Sequence, residues 1–355
     1  MSKTPEIFNI IDKLYASASL TRQELRFLLD NRDGASDERL FERARAVSAR
    51  AFGKGVFLRG LIEFSNYCAK NCLYCGIRAG NAGAARYRLN KEEILKCCEN
   101  GYSLGFRTFV LQSGEDPSFS DEALLPLVSE IRRTFPDCAI TLSLGERSRE
   151  SFEALFAAGA NRYLLRHETA SEAHYAKLHP PETRLPSRMG CLRELKRIGY
   201  QVGCGFMVGS PYQTNDDLVT DLLFIKDFAP QMVGIGPFIP HRDTPFAAFP
   251  PGGLEITLFA VAVTRLLLPE VLLPATTALG TIHPKGRERG VLAGANVVMP
   301  NLSPLENREK YSLYDGKICT GDEAAECIGC LGRRLSAVGY ELSFARGDAA
   351  GFAAD

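Results

Sequence analysis

The sequence predicts an α/β protein: a (β/α)8 TIM-type barrel with an N-terminal helical cap and a short C-terminal extension. From Gly60 onward, short apolar runs alternate with amphipathic segments, the pattern of repeated βα units on a parallel sheet. Eight such runs spread over about 240 residues, which matches a closed barrel better than a doubly wound open sheet. With 355 residues, 45% of them apolar, the chain can bury a core of that size.

Residues 1–55 carry helical periodicity in three pieces, and Thr21-Arg22-Gln23-Glu24 reads as a capping box opening the second. The barrel is assigned to residues 56–302. Its strands are expected at Leu61–Phe64, Thr108–Leu111, Ala139–Leu142, Arg162–Leu165, Gly203–Val208, Met232–Pro237, Val271–Pro274 and Asn296–Met299. Helical segments fall between them at Lys91–Leu104, Asp121–Thr134, Arg149–Ala158, Ser187–Ile198, Asp216–Phe228, Glu255–Leu268 and Lys285–Ala293, the first capped by Asn90 with Glu93 three residues on. Residues 303–355 lie outside the repeat and form the extension, with a short helix near Ala324–Ala337.

Lys plus Arg and Asp plus Glu number 42 each, so no global field draws nucleic acid or an anionic membrane. The N-terminus lacks the order of a secretory signal and no apolar run approaches a membrane span, so a cytoplasmic location is expected. In that compartment disulfides are rare and clustered cysteines point to metal or redox chemistry. Of eleven cysteines, Cys97, Cys98, Cys138, Cys191 and Cys204 sit in apolar patterns and read as structural.

The other six form two triplets. Cys68, Cys72 and Cys75, spaced C-x3-C-x2-C, follow the first strand as a loop at the working face of a parallel barrel. Three thiolates with no fourth nearby would leave one iron of an iron-sulfur cube open to an outside ligand. A structural zinc is the alternative, although zinc usually takes four ligands from paired knuckles. Cys319, Cys327 and Cys330 end in a metal-knuckle spacing and could hold a second iron-sulfur cluster, a zinc ion or nothing essential.

Strand-end polar residues supply the remaining candidates. Gln112-Ser113-Gly114-Glu115-Asp116-Pro117 follows the second run, where glycine allows close approach of a ligand or reads simply as a turn. Thr141 and Ser143 share one strand face, as do Arg166 and Glu168, with His167 aimed away. A buried Arg–Glu pair is costly enough at a barrel mouth to favour function over structure. Arg188 opens a helix where the dipole does not help a cation, which reads as a solvated arginine or else hints at an anionic partner. Met232 begins the sixth run and reads as core filling, and Thr276-Thr277 end the seventh, offering hydroxyls to a ligand.

The C-x3-C-x2-C spacing with Tyr74 before its last cysteine resembles the radical S-adenosylmethionine (SAM) enzymes. In these, a 4Fe-4S cluster binds SAM at its open iron and one electron releases a 5′-deoxyadenosyl radical. Ile62–Arg78, Phe106–Asp116, Ala139–Arg147, Tyr163–Thr169, Gly205–Gly209, Val233–Pro240, Pro274–Gly280 and Gly294–Asn301 resemble the HydE-type FeFe-hydrogenase maturases. That resemblance implies Tyr74 against adenine, Ser113-Gly114-Glu115 as the methionine-binding turn, Glu168 and Arg188 on SAM, and Ser143 and Met232 on the cofactor side. It places Gln112, Thr141, Ser143, Arg166, Thr276 and Thr277 along the barrel where substrate sits, and makes the second triplet an auxiliary cluster site found in some members. The implied substrate is a small organometallic or amino-acid-derived compound, an iron-bound cysteine with CO and cyanide. The implied partners are other hydrogenase maturases and a reductant protein. Related radical SAM enzymes such as methylornithine synthase or biotin synthase are the alternative, and a non-catalytic cluster scaffold is another.

Overall fold

In the computed structural model, residues 4–318, 320 and 328–352 are described. Three helices, α1 (Thr4–Ser17), α2 (Arg22–Asn31) and α3 (Gly34–Phe52), lead into two consecutive strands, β1 (Gly55–Leu58) and β2 (Gly60–Ser65). The expected box caps α2: the Thr21 hydroxyl accepts from Glu24 N and the Glu24 carboxylate accepts from Thr21 N. The βα repeat follows as α4 (Lys91–Ser103), β3 (Thr108–Ser113), α5 (Asp121–Thr134), β4 (Ala139–Ser143), α6 (Arg149–Ala157) and β5 (Arg162–Leu164). It continues as α7 (Glu172–Leu178), α8 (Leu185–Ile198), β6 (Gln201–Val208), α9 (Asn215–Phe228), β7 (Met232–Pro237) and α10 (Leu254–Leu267). Short elements complete the chain: α11 (Thr277–Ile282), α12 (Gly286–Leu292), β8 (Val297–Val298), α13 (Leu305–Arg308), α14 (Ile328–Ser336) and β9 (Glu341–Ser343).

Strands β2 to β7 form one parallel sheet in sequence order, and β8, β1 and β9 form a second. Single bridges join them into a ring: Met232 to Leu272, Pro274 to Val297 and Leu61 to Asn301. The seventh apolar run therefore closes the barrel without forming a regular strand. Val233 N donates to Leu272 O at 3.1 Å and Ala275 N to Val297 O at 2.9 Å, so its backbone is paired on both sides. Helix α10 is buried almost all round because the N-terminal helices pack on the side that the barrel leaves free.

The C-terminal segment returns beneath the barrel. Strand β9 pairs in parallel with β1, and residues 346–349 cross the amino ends of the strands. There Arg162 Nη2 meets Asp348 Oδ1 at 2.8 Å, Thr108 Oγ1 donates to Arg346 O at 2.8 Å, and Ala349 N donates to Gln201 Oε1 at 2.9 Å. Among the described residues no helix is long and apolar enough to cross a membrane.

Candidate active site

Cys68, Cys72 and Cys75 follow β2 and line one wall of a cavity of about 340 Å3 inside the barrel. Their loop is held by neighbours far apart in sequence: Ala69 N donates to Glu115 O at 2.8 Å, Leu73 N to Leu178 O at 3.0 Å and Gly76 N to Leu313 O at 2.9 Å. Burial pushes the Cys72 thiol up to about 12 and raises Cys68 and Cys75 as well, so in the metal-free chain they stay protonated. Among the described residues no three such side chains close on a single ion. Three thiols on one cavity wall match the ligand set of an open-site iron-sulfur cluster.

The turn after β3 leans on this loop. A Cβ on Gly114 would lie 2.2 Å from Tyr67 O and 2.7 Å from Cys68 Cβ, so only glycine permits the contact. Neither Ser113 nor Gly114 has a positive φ, and the turn needs its glycine for closeness alone. The next amide, Glu115 N, points at Cys68 Sγ 3.4 Å away. The Glu115 carboxylate lies 3.6 Å from Lys70 Nζ and 3.5 Å from Arg188 Nη2, and Arg188 Nε lies 2.9 Å from Glu146 Oε1. Burial opposes the Arg188 charge, yet Tyr175, Glu146 and Glu115 around it outweigh that and raise its pKa. Burial raises the Glu115 carboxyl, with Arg188 and Lys70 working against the rise.

Tyr74 stands edge-on to His179 with ring centroids 5.5 Å apart, and His179 stacks on Tyr175 at 3.8 Å. His179 Nδ1 donates to Tyr175 O at 3.0 Å, which leaves Nε2 to accept from the Tyr74 hydroxyl at 3.4 Å.

The segment after β5 carries the one strained site residue. Glu168 has φ +63°, a left-handed conformation that costs a non-glycine residue about 1–2 kcal/mol. His167 N and Glu168 N both donate to Gly205 O at 3.0 Å, and Met207 N donates to Glu168 O at 3.1 Å, which fixes that turn. Arg166 Nη2 lies 3.0 Å from Glu168 Oε2 without hydrogen-bond alignment, leaving both atoms unpartnered by that criterion. His167 points outward, where Gly205 N donates to its Nδ1 at 3.3 Å. Thr141, 1% exposed, has a hydroxyl with no partner, and Ser143 and Gln112 line the same cavity. These buried polar atoms await a ligand, and with the three thiols they fit an open-site cluster and its SAM.

Two expectations change. Thr276 and Thr277 end no regular strand: the Thr276 hydroxyl caps α11, accepting from Leu279 N at 3.4 Å, and Thr277 opens that helix, although both still line the cavity. Met232 begins β7 and therefore sits at the cavity floor, its sulfur 2.9 Å from Arg59 Nη1, whereas the cysteines sit at the mouth. In the second triplet, Cys319 and Cys327 lie outside the described residues and Cys330 is exposed on α14. Sequence reasoning missed Lys70, Glu146, Tyr175, His179, Glu63 and Lys317. Glu63 Oε1 accepts from Lys317 Nζ at 2.6 Å, and both line the cavity. A carboxylate within the apolar run Leu61-Ile62-Glu63-Phe64 was a readable signal for that pair.

Residues 62–225 match the radical SAM superfamily. The [FeFe] hydrogenase maturase subunit HydE of Thermotoga maritima is 47% identical to this chain over 93% of it and 94% of the relative. The chain belongs to the HydE family of radical SAM enzymes. That family uses a 4Fe-4S cluster and SAM, so the cavity with its three thiols is the place to look for both. More distant kin include 3-methylornithine synthase of Methanosarcina barkeri, 30% identical over 95% of the chain and 94% of the relative. The crystal structure of methylornithine synthase (PylB) superposes with a TM-score of 0.82 at 29% identity, covering 94% and 97% of the two chains. The maturase HydG superposes at 0.80 with 21% identity over 97% of this chain and 77% of that one, which shows a shared fold.

Proposed function

We propose that this HydE-family chain acts in assembly of the FeFe-hydrogenase active site, on a small organometallic substrate such as an iron-bound cysteine bearing CO and cyanide. The observation that carries the reading is the confluence of the three-cysteine loop, the Gly114 turn and unpartnered polar groups in one barrel cavity, in a chain 47% identical to a hydrogenase maturase. When bound, a 4Fe-4S cluster with SAM on its open iron supplies one-electron cleavage of SAM and so a 5′-deoxyadenosyl radical.

The chain's own share is holding and shielding. Cys68, Cys72 and Cys75 hold three irons. The backbone of Ser113, Gly114 and Glu115 runs beside the methionine group, while Glu168 and Arg188 offer opposite charges to its ammonium and carboxylate. Tyr74, braced by His179, covers adenine. Deeper in the cavity, the Arg166 guanidinium and the hydroxyls of Thr141, Ser143, Thr276 and Thr277 hold an anionic substrate, with Gln112 beside them. A reductant protein delivers the electron and another maturase takes the product.

Anaerobic reconstitution tests the reading. Reduced protein with SAM should release 5′-deoxyadenosine, and Cys72→Ala should abolish that release. A host lacking the gene should fail to mature its hydrogenase; normal hydrogenase activity in that host would overturn the assignment.

A further inference from the structure

The cysteine loop is irregular, and its backbone carbonyls have no strand or helix to satisfy them. One side chain takes up four of these oxygens. Arg86 Nη1 donates to Asn66 O, two residues before Cys68, and to Ile77 O at 2.8 Å, two residues after Cys75. Its Nη2 donates to Arg78 O at 2.6 Å and Asn81 O at 3.2 Å. The entry and the exit of the loop thus meet on a single planar group. Asn66 and Asn81 extend the arrangement: Asn66 Nδ2 donates to Ala85 O and Lys310 O, and Asn81 Nδ2 donates to Gly76 O at 2.6 Å.

We propose that Arg86 is the positioning residue of the cluster site, closing residues 66–81 into a ring so that the three thiols hold their ligating arrangement before any metal arrives. The inference rests on Cys68, Cys72 and Cys75 being the cluster ligands, but it concerns the metal-free chain and can fail independently of that. Chemistry explains why arginine occupies the position. A guanidinium presents five donors in a fixed planar fork, and its two Nη groups supply one N–H for each of the four carbonyls, whereas a lysine ammonium has only three donors on a flexible stem. Its four hydrogen bonds all go to backbone carbonyls, so it bears on the thiols through the backbone that carries them.

The test uses the full chain, metal-free, with Arg86→Lys as the gentle variant and Arg86→Ala as the severe one. Hydrogen exchange read by mass spectrometry should show amides of residues 66–81 exchanging at least about tenfold faster in Arg86→Lys, with protection of the barrel strands unchanged. Iron and sulfide bound after anaerobic reconstitution should fall in both variants. Millimolar guanidinium should restore part of the loading to Arg86→Ala, because it can fill the vacated space and donate to the same carbonyls. Wild-type exchange in the loop with full iron loading would overturn the proposal. So would faster exchange throughout the barrel, which would make Arg86 a general stabilising residue.

Discussion

Replacing Gly114 by alanine tests the geometry of the site with one carbon atom. The added Cβ would sit 2.2 Å from Tyr67 O, 2.7 Å from Cys68 Cβ and 2.9 Å from Tyr67 C, all of them backbone or first side-chain atoms that no rotamer change can move aside. Ordinary contact needs at least 3.4 Å, so either the turn or the cysteine loop must retreat by about 1 Å. Overpacking of this kind destabilises by about 1–3 kcal/mol. A 1 Å displacement of positioning groups lowers turnover by about 100-fold. Gly190→Ala is the control. That glycine lies within α8 with nothing within 4 Å of its would-be Cβ, and the change should stabilise by about 0.5–1 kcal/mol. Urea unfolding of the metal-free proteins measures the first effect, and 5′-deoxyadenosine release after reconstitution measures the second. If Gly114→Ala keeps wild-type stability and release, the contact between turn and loop is not what positions the site.

Two further outcomes follow from buried groups. Thr141→Val replaces an unpartnered hydroxyl by a methyl of the same shape, so the metal-free protein should gain up to about 1 kcal/mol in urea unfolding. Substrate product formed per 5′-deoxyadenosine should drop about tenfold, the worth of one hydrogen bond, and an unchanged ratio would remove Thr141 from the substrate site. Burial is the main cause holding His167 down to about 3 and His179 down to about 4. The unfolded chain, with histidine near 6.5, takes up protons that the folded chain refuses, so stability is intact above about pH 6.5 and falls as pH drops towards 4. Between pH 7.5 and 5.5 each histidine should account for a loss of about 1.4 kcal/mol. His167→Gln should flatten the pH dependence of the urea midpoint, and an unaltered slope would contradict the assignment.

Local pattern made most of the scaffold legible. Apolar runs such as Thr108–Leu111 and Ala139–Leu142 are strands in the structure because both faces of a parallel barrel are covered. Arg166 and Glu168 turn inward and His167 away, as alternation suggests, although the backbone there is a turn beyond β5 and not a strand. Two things lay beyond local pattern. The Thr276–Thr277 pair is expected at a strand end, whereas Thr276 caps the short helix α11, whose start no local pattern announces. The charged ring of Lys70, Glu115, Glu146 and Arg188 draws on three separate βα connections and helix α8, so no spacing along the chain reports that it exists. Likewise, the left-handed turn at Glu168 is imposed by a carbonyl from β6 and has no mark in its own sequence.

The tail beneath the barrel bears on traffic through the enzyme. With Arg162, Gln201 and Thr108 engaged from below by residues 346–349, the chain covers the amino ends of the strands, opposite the end that carries the cysteines. With that end covered, a ligand lodged deepest would board first and disembark last. Under the proposed function, SAM beside the cysteine loop would lie over a substrate held deeper at Thr141 and Arg166, and its spent fragments would clear the doorway before the altered cargo leaves.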